Sequence, residues 1–294
     1  MGKMQTRKPI VAGQFYPGQH DSCLDEISEY FEQIMPSEAL PDSITAGIVP
    51  HAGWAFSGLT AEMVFAAVKQ KHEKVNTFVI FGAAHSYFGP APAVYDRGLW
   101  LTPLGEVAVD EELADAVLDT ATATSNPQTH RNEHSIEVQV PFIQHLFAGA
   151  KILPIVVPPD KQAVSLGEAI GEIIAADRDK KVVCIGSTDL THYGPRYEFV
   201  PMGTGEQALR WASEVNDRKF IDLALNLDAE ALLTSAAENS NACGPGAAAA
   251  AVAAAKKLGK TKGLLLDHTN SNKIMAEKMG STSAESVGYA AIVF

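Results

Sequence analysis

The sequence has little cysteine, no cluster of basic residues and no long apolar run. Cys23, Cys184 and Cys243 are the three cysteines in 294 residues, and they stand far apart. A sparse, odd set of this kind is not typical of a disulfide framework. The 23 Lys and Arg are outnumbered by 35 Asp and Glu, which gives a formal net charge of −12. An acidic chain without a basic patch is not expected to bind nucleic acid nonspecifically.

The sequence shows no apolar segment of the length that a membrane span requires. The longest apolar run, residues 246–255, is rich in alanine and too short to span a bilayer. The first ten residues, MGKMQTRKPI, lack the apolar segment of a signal peptide. They match the myristoylation pattern through Gly2 and Thr6, but that pattern is too short to predict the modification. Together with the unpaired cysteines, these features predict a cytoplasmic protein with no membrane partner.

Apolar strands and helices alternate along the chain, without an internal repeat or a linker. This alternation predicts an α/β layered fold, one domain over residues 1–294, with a mainly parallel or mixed central sheet. Pro141 is expected to bend or split its helix. The predicted helices cover residues 23–35, 59–71, 110–120, 132–147, 163–176, 204–225 and 245–258, and the predicted strands cover residues 45–50, 77–82, 151–157, 181–186, 263–266 and 287–294.

Three histidines closely follow predicted strands. His51 comes directly after one strand, and His85 and His192 each follow another within a few residues. In open α/β sheets, ligands bind beyond the carboxyl ends of the strands. If these strands are parallel neighbours, the three imidazoles converge on one cleft. Taken singly, each histidine fits a hydrogen-bonded or surface position equally well.

Cys243 stands just before the helix predicted over residues 245–258. A thiol at a helix N-terminus is expected to have a lowered pKa, which favours the thiolate that binds metals. The alternative is a small buried residue that packs a turn. Cys184, inside a predicted strand, is expected to be an inert core residue, and Cys23 to be incidental.

Further ionisable residues lie in two short segments. His134 and Glu137 share one face of a predicted helix, where they could enter the cleft or form a cap and salt bridge. Asp189 precedes His192 by three residues and could orient its imidazole by accepting a ring N–H. Imidazole and thiolate donors suit iron, copper or zinc. Without CxxC pairs, a closed structural zinc site is not expected.

Seven short segments have a specific order and spacing over nearly the whole chain: residues 11–17 (VAGQFYP), 50–54 (PHAGW), 82–86 (GAAHS), 133–137 (EHSIE), 189–194 (DLTHYG), 243–244 (CG) and 286–290 (SVGYA). In these segments the chain resembles the Memo family, which includes the archaeal and bacterial proteins called AmmeMemoRadiSam system protein B. That family is similar in fold and cleft position to the class III extradiol dioxygenases.

The resemblance implies a set of site residues. Class III extradiol dioxygenases bind ferrous iron through two histidines and a glutamate, whereas the Memo cleft has two histidines and a cysteine. By this match His51, His85 and Cys243 are the metal ligands. His192 corresponds to a cleft histidine able to act as acid or base, with Asp189 beside it, and His134 belongs to a motif that contributes to the same cleft. Because thiolate is easily oxidised, ring cleavage does not follow from the resemblance.

The main functional hypothesis is a non-haem oxidoreductase that uses iron(II) or copper, with zinc as a third choice, on a small molecule or peptide. One alternative is a metal-binding protein without catalysis. Another is a phosphopeptide-binding protein that uses the same cleft, with Arg131 and Arg196 as candidate phosphate contacts. A cysteine hydrolase that pairs Cys243 with His192 is a further alternative.

Overall fold

A mixed sheet flanked by helices organises the chain, of which the computed structural model describes residues 5–36, 38–87, 89–177 and 179–294. The strands are β1 (Thr6–Arg7), β2 (Ala46–Val49), β3 (Thr77–Gly82), β4 (Ala93–Val94), β5 (Leu99–Thr102), β6 (Gly105–Ala108), β7 (Thr124–Ser125), β8 (Lys151–Val156), β9 (Val182–Ser187), β10 (His192–Tyr193), β11 (Leu264–Asn270) and β12 (Ser286–Val293). The helices are α1 (His20–Gln33), α2 (Trp54–Lys71), α3 (Glu111–Asp119), α4 (Val140–Leu146), α5 (Gln162–Ala176), α6 (Glu206–Trp211), α7 (Arg218–Leu225), α8 (Ala229–Asn239), α9 (Pro245–Lys257) and α10 (Ser271–Met279).

The centre of the sheet is parallel and its flanks are antiparallel. The strand order is β10-β12-β2-β9-β3-β8-β4-β7, with β11 paired to β12, and β1, β5 and β6 form a small separate sheet. Strands β2, β9, β3 and β8 run parallel, while β12 and β4 run antiparallel to their inner neighbours. Strands β2, β3 and β9 are buried over their whole length, as in sheets covered on both faces. The predicted α/β fold with a mixed central sheet is confirmed.

Helix α9 lies unusually close to the sheet because its side chains are small. All its residues from Pro245 to Ala255 are buried, and it packs on β9 and against α5. A β-carbon on Gly186 of β9 would lie 2.7 Å from the carbonyl oxygen of Ala247, so only glycine permits this approach. The close packing brings the N-terminus of α9, and with it Cys243, to the carboxyl end of β9.

The prediction of a single helix over residues 132–147 is wrong. The chain instead forms a 3-10 turn at Pro127–Asn132, an irregular segment, a second 3-10 turn at Glu137–Gln139 and then α4. Pro141 stands in the first turn of α4, where its missing N–H costs nothing. Proline therefore starts a helix here rather than bending one, and the irregular segment is free to enter the cleft.

Several other elements differ from the prediction. Helix α2 begins at Trp54, before the predicted start, and the buried indole of that residue stacks on Phe142 at a centroid distance of 4.3 Å. Helices α8 and α10 were not predicted. The helix predicted over residues 204–225 is α6 and α7 joined by a π-helical turn at Ala212–Asp217. Cys184 is buried as predicted, whereas Cys23, expected to be incidental, is fully buried on the inner face of α1.

The main apolar core draws side chains from Tyr16 through to Phe294, and a smaller cluster joins Tyr193, Ala208 and Ala212. Within the described residues, no helix is both long enough and apolar enough to cross a bilayer. Gly2, the residue of the myristoylation pattern, lies outside the described residues. The single domain over residues 1–294 stays a prediction.

Candidate metal centre

The carboxyl ends of three adjacent parallel strands form the floor of a histidine-lined cleft. His51 follows β2, His85 follows β3, and Asp189 follows β9, which lies between the other two strands. These side chains therefore meet at one edge of the sheet. The cleft has a volume of about 640 Å³ and also takes in His134 and His192.

Three imidazoles are packed against one another in this cleft. The ring of His51 stands at 89° to that of His85, with centroids 5.1 Å apart, and His134 stacks on His85 at 4.8 Å and 10°. Burial lowers the pKa of His51 to about 3 and also lowers that of His134. These two rings are therefore neutral near pH 7, and each offers an unprotonated nitrogen. The side-chain nitrogens of the three residues lie within 4.8 Å of one another.

Hydrogen bonds to Ser187 fix the tautomer of His51. The Ser187 hydroxyl donates its only proton to the carbonyl oxygen of Ser135 at 2.7 Å, so its oxygen accepts from Nδ1–H of His51 at 3.0 Å. The Nε2 atom of His51 then carries the lone pair. It lies 3.1 Å from Sγ of Cys243. The ring is thus oriented with its free nitrogen toward the thiol.

A buried carboxylate orients His85 in the same way. Glu133 accepts from Nδ1 of His85 at 3.0 Å and from its backbone N–H at 3.1 Å, and it also accepts from the backbone N–H of Ser135. Burial alone would raise the pKa of Glu133, but its bonds to His85 and Ser135 lower it to about 2. At His85, burial alone would lower the pKa of the imidazole, but the hydrogen bond and the charge of Glu133 outweigh it and raise that pKa.

Glu133 was assigned no role from the sequence. A signal for it was present, because a carboxylate next to a cleft histidine is the partner that metal-binding imidazoles commonly use. What the sequence did not show is that this partner serves His85, forty-eight residues away, and not the adjacent His134. The separation between Nδ1 of His134 and Oε1 of Glu133 is 3.8 Å, too long for a hydrogen bond.

Cys243 lies immediately before α9 and next to His51. Burial, together with the nearby Asp189 carboxylate, raises the pKa of its thiol well above the ordinary value. The prediction of a lowered pKa is therefore wrong, because desolvation outweighs the helix N-terminus. The protonated thiol donates toward Nε2 of His51, so the hydrolase pairing of Cys243 with His192 does not match the observed contact. A bound cation would reverse the direction of the shift.

Asp189 holds the backbone at His51. Its Oδ1 atom accepts from the N–H groups of His51 at 2.7 Å and Ala52 at 3.2 Å. Burial opposes the charge, but the nearby imidazoles of His51 and His192 and the backbone N–H groups lower the pKa of Asp189 to about 2. Its Oδ2 lies 3.7 Å from Nε2 of His192, beyond hydrogen-bond range. The predicted orienting bond from Asp189 to His192 is thus absent between these two described residues.

His192 lines the cleft and is half-buried. Its ring packs edge-on against Tyr197 at a centroid distance of 5.1 Å, and its Nε2 has no hydrogen-bond partner among the described residues. Of the two arginines considered for phosphate, Arg196 lines the cleft, and Arg131 is not among the described lining residues. Arg196 therefore remains available to a ligand in the cleft, while the unpartnered Nε2 of His192 is itself buried.

Two overlapping groups of donor atoms could hold a metal ion. One contains His51, His85 and His134, and the other contains His51, Asp189 and Cys243, each with all its donor atoms within 4.8 Å of one another. Of the three ligands predicted from the sequence, His51 belongs to both groups, His85 only to the first and Cys243 only to the second. Imidazole, thiol and carboxylate donors are the set that suits iron, copper or zinc.

Neutral imidazoles, a thiol and a carboxylate at the carboxyl ends of parallel strands define a candidate metal-binding α/β protein. The family model described as "Memo-like protein" matches residues 7–293, and the chain belongs to this Memo-like family. A MEMO1 family protein of Thermococcus onnurineus is 40% identical over 98% of this chain and 99% of its own length. MEMO1 family proteins of Thermococcus kodakarensis and Methanosarcina mazei are 38% and 36% identical, over 98% and 99% of this chain and 99% of their own lengths.

Proposed function

We propose that this chain binds iron(II) or copper through His51, His85 and Cys243 and acts as a non-haem oxidoreductase on a small molecule or peptide. The observation that carries the proposal is the 3.1 Å approach of Cys243 Sγ to Nε2 of His51, whose other nitrogen is held by Ser187. The thiol and the neutral imidazole of fixed tautomer meet at one point, where a single metal ion could take both as ligands. Zinc is the third candidate.

In this proposal some residues bind the metal ion and others orient those ligands. His51, His85 and Cys243 hold the ion, and Glu133 and Ser187 keep the two imidazoles turned toward it. When bound, iron or copper would supply one-electron chemistry. Because the thiol is protonated in the free protein, metal binding releases its proton.

His192, Asp189 and His134 are proposed to act on the substrate side. His192 lines the cleft, its buried Nε2 has no hydrogen-bond partner among the described residues, and we assign it the transfer of a proton. The Asp189 carboxylate lies 3.7 Å from that nitrogen. His134, stacked on His85, forms a wall against which a substrate would lie.

The test is the metal content of anaerobically purified protein. We expect stoichiometric iron or copper in the natural chain and in Cys184→Ala, which removes a buried thiol remote from the cleft. Cys243→Ser is expected to lose the metal. His134→Ala tests the group of three histidines, and Asp189→Asn tests the group that contains Cys243. A variant that loses metal while its thermal unfolding midpoint stays unchanged has lost a ligand and not its fold. Metal retained at full level in Cys243→Ser would exclude thiolate ligation.

Loss of turnover in His192→Ala with metal content retained would support the oxidoreductase over the metal-binding protein without catalysis. Absence of any oxygen-dependent or redox turnover in the loaded natural chain would favour the latter. Cytoplasmic location and the nature of the partner stay predictions.

The second candidate, phosphopeptide binding, has one supporting observation. Arg196 is exposed and lines the cleft, where its guanidinium could pair with a phosphate. Calorimetry tests this candidate. It measures the affinity of a tyrosine-phosphorylated peptide and of its unphosphorylated form for the natural chain and for Arg196→Gln. Equal affinity for the two peptides would remove this candidate.

A further inference from the structure

A second cavity opens onto the candidate metal centre. The histidine-side cleft is the 640 Å³ space lined by His51, His85 and His134. The second space, here called the thiol-side cavity, has a volume of about 530 Å³ and is lined by Cys243 together with Glu198 and Phe199. Among the described residues, Cys243 lines the thiol-side cavity and is absent from the lining of the histidine-side cleft.

His192 and Tyr197 form the wall between the two spaces. Both residues line both cavities, and their rings pack edge to face at 5.1 Å. Behind this wall, Cys243 Sγ and His51 Nε2 meet at 3.1 Å, and His51 lines the histidine-side cleft while Cys243 lines the thiol-side cavity. The two donor residues thus border different spaces.

The two spaces also differ in charge. Arg196 lines the histidine-side cleft together with the carboxylates of Asp189 and Glu285, whereas Glu198 lines the thiol-side cavity and is exposed. No lysine or arginine is among the described residues that line the thiol-side cavity. A carboxylate at the opening disfavours anions and favours neutral or cationic molecules.

We propose that the thiol-side cavity is a separate entrance through which small neutral or cationic molecules reach Cys243. The metal centre of the proposed function, on which this inference builds, would then be approached from two sides. A larger ligand would enter on the histidine side, where an anionic group could pair with Arg196, and a small polar reactant would enter on the thiol side.

The first test is the alkylation rate of Cys243 by iodoacetamide in the chelator-treated full-length chain, followed by peptide mass spectrometry. Cys23 and Cys184 are fully buried and serve as unreactive references in the same sample. Ala242→Phe places a large ring in the thiol-side cavity, and Met275→Trp does the same in the histidine-side cleft. We expect Ala242→Phe to slow alkylation by about tenfold or more, since bulk that blocks access lowers thiol reactivity, and Met275→Trp to leave the rate unchanged.

A second variant keeps the test decisive if Ala242→Phe fails to fold. Phe199→Ala removes a ring from the lining of the thiol-side cavity and should raise the alkylation rate. Slower alkylation in Met275→Trp, or no change in Phe199→Ala, would overturn the proposal, because the thiol would then be reached from the histidine side or by opening of the fold.

The charge test compares iodoacetamide with anionic iodoacetate. We expect the natural chain to prefer iodoacetamide, and Glu198→Gln to reduce that preference about threefold at low ionic strength, as expected for one rim charge. Glu285→Gln is the matched control, because Glu285 lines the histidine-side cleft. An equal effect of both substitutions would contradict entry beside Glu198. These rates do not depend on metal, so failure of metal binding would leave them interpretable on their own.

Discussion

Single side chains decide which nitrogen of each cleft histidine is free. Ser187 and Glu133 accept hydrogen bonds from Nδ1–H of His51 and His85, so that Nε2 is the nitrogen of each ring that a ligand can use. Partners of this kind raise the basicity of the imidazole and hold its ring in place. The chemistry of the cleft therefore depends on two residues that do not themselves bind the metal.

Glu133→Gln tests that dependence. The amide keeps the size of the side chain but loses the charge that accepts from Nδ1 of His85. We expect metal affinity to fall by about ten- to a hundredfold, the usual effect of losing such a partner. Titration with a competing chelator measures it. Glu285→Gln, at the rim of the same cleft, serves as the control, and equal affinity in Glu133→Gln and the natural chain would contradict the assigned role.

Glu62 provides a prediction on pH. Its side chain is fully buried in α2, neither oxygen has a hydrogen-bond partner among the described residues, and burial raises its pKa to about 9. The folded state thus holds this proton while the unfolded state, with a pKa near the ordinary value of 4.5, has released it. The free energy of unfolding should therefore fall as pH rises from 4.5 to 9, by roughly 1.4 kcal/mol for each pH unit.

Glu62→Gln should remove this slope, because the amide has no proton to lose. The measurement is urea unfolding of both proteins between pH 5 and pH 9. Parallel pH profiles would show that the Glu62 carboxyl is ionised or finds a partner in the folded state.

At the scale of elements, the position of Cys243 depends on how closely α9 packs. Gly167 of α5 faces the backbone of α9 at Ala250 and leaves no room for a β-carbon. Helix α9 in turn crosses β9, whose carboxyl end carries Asp189. Small residues on three elements thus bring the thiol to within 3.1 Å of His51.

Gly167→Ala should push α5 and α9 apart. Overpacking of this kind costs about 1–3 kcal/mol of unfolding free energy, and we expect the displaced α9 to weaken metal binding as well. Ser165→Ala, an exposed change in the same helix, is the control and should have little effect. Chemical unfolding and chelator competition measure both quantities, and a Gly167→Ala protein as stable as the control would contradict the tight contact.

At the scale of the whole molecule, the sequence predicted the parallel core and the position of His51 and His85 at strand ends. Both follow from local patterns, since a buried strand and the residue after it are adjacent in the chain. Glu133 and Ser187 could not be assigned in this way, because each serves a histidine that lies far away in sequence. The pKa of Cys243 was predicted in the wrong direction for the same reason: its burial comes from segments that only the fold brings together.

X-ray absorption at the metal edge tests the central claim most directly. The sample is the natural chain loaded anaerobically with iron(II) or with copper, beside Cys243→Ser prepared identically. We expect sulfur scattering together with imidazole nitrogen in the natural chain, and loss of the sulfur contribution in the variant. A first shell of nitrogen and oxygen alone in the natural chain would contradict a metal centre built on Cys243.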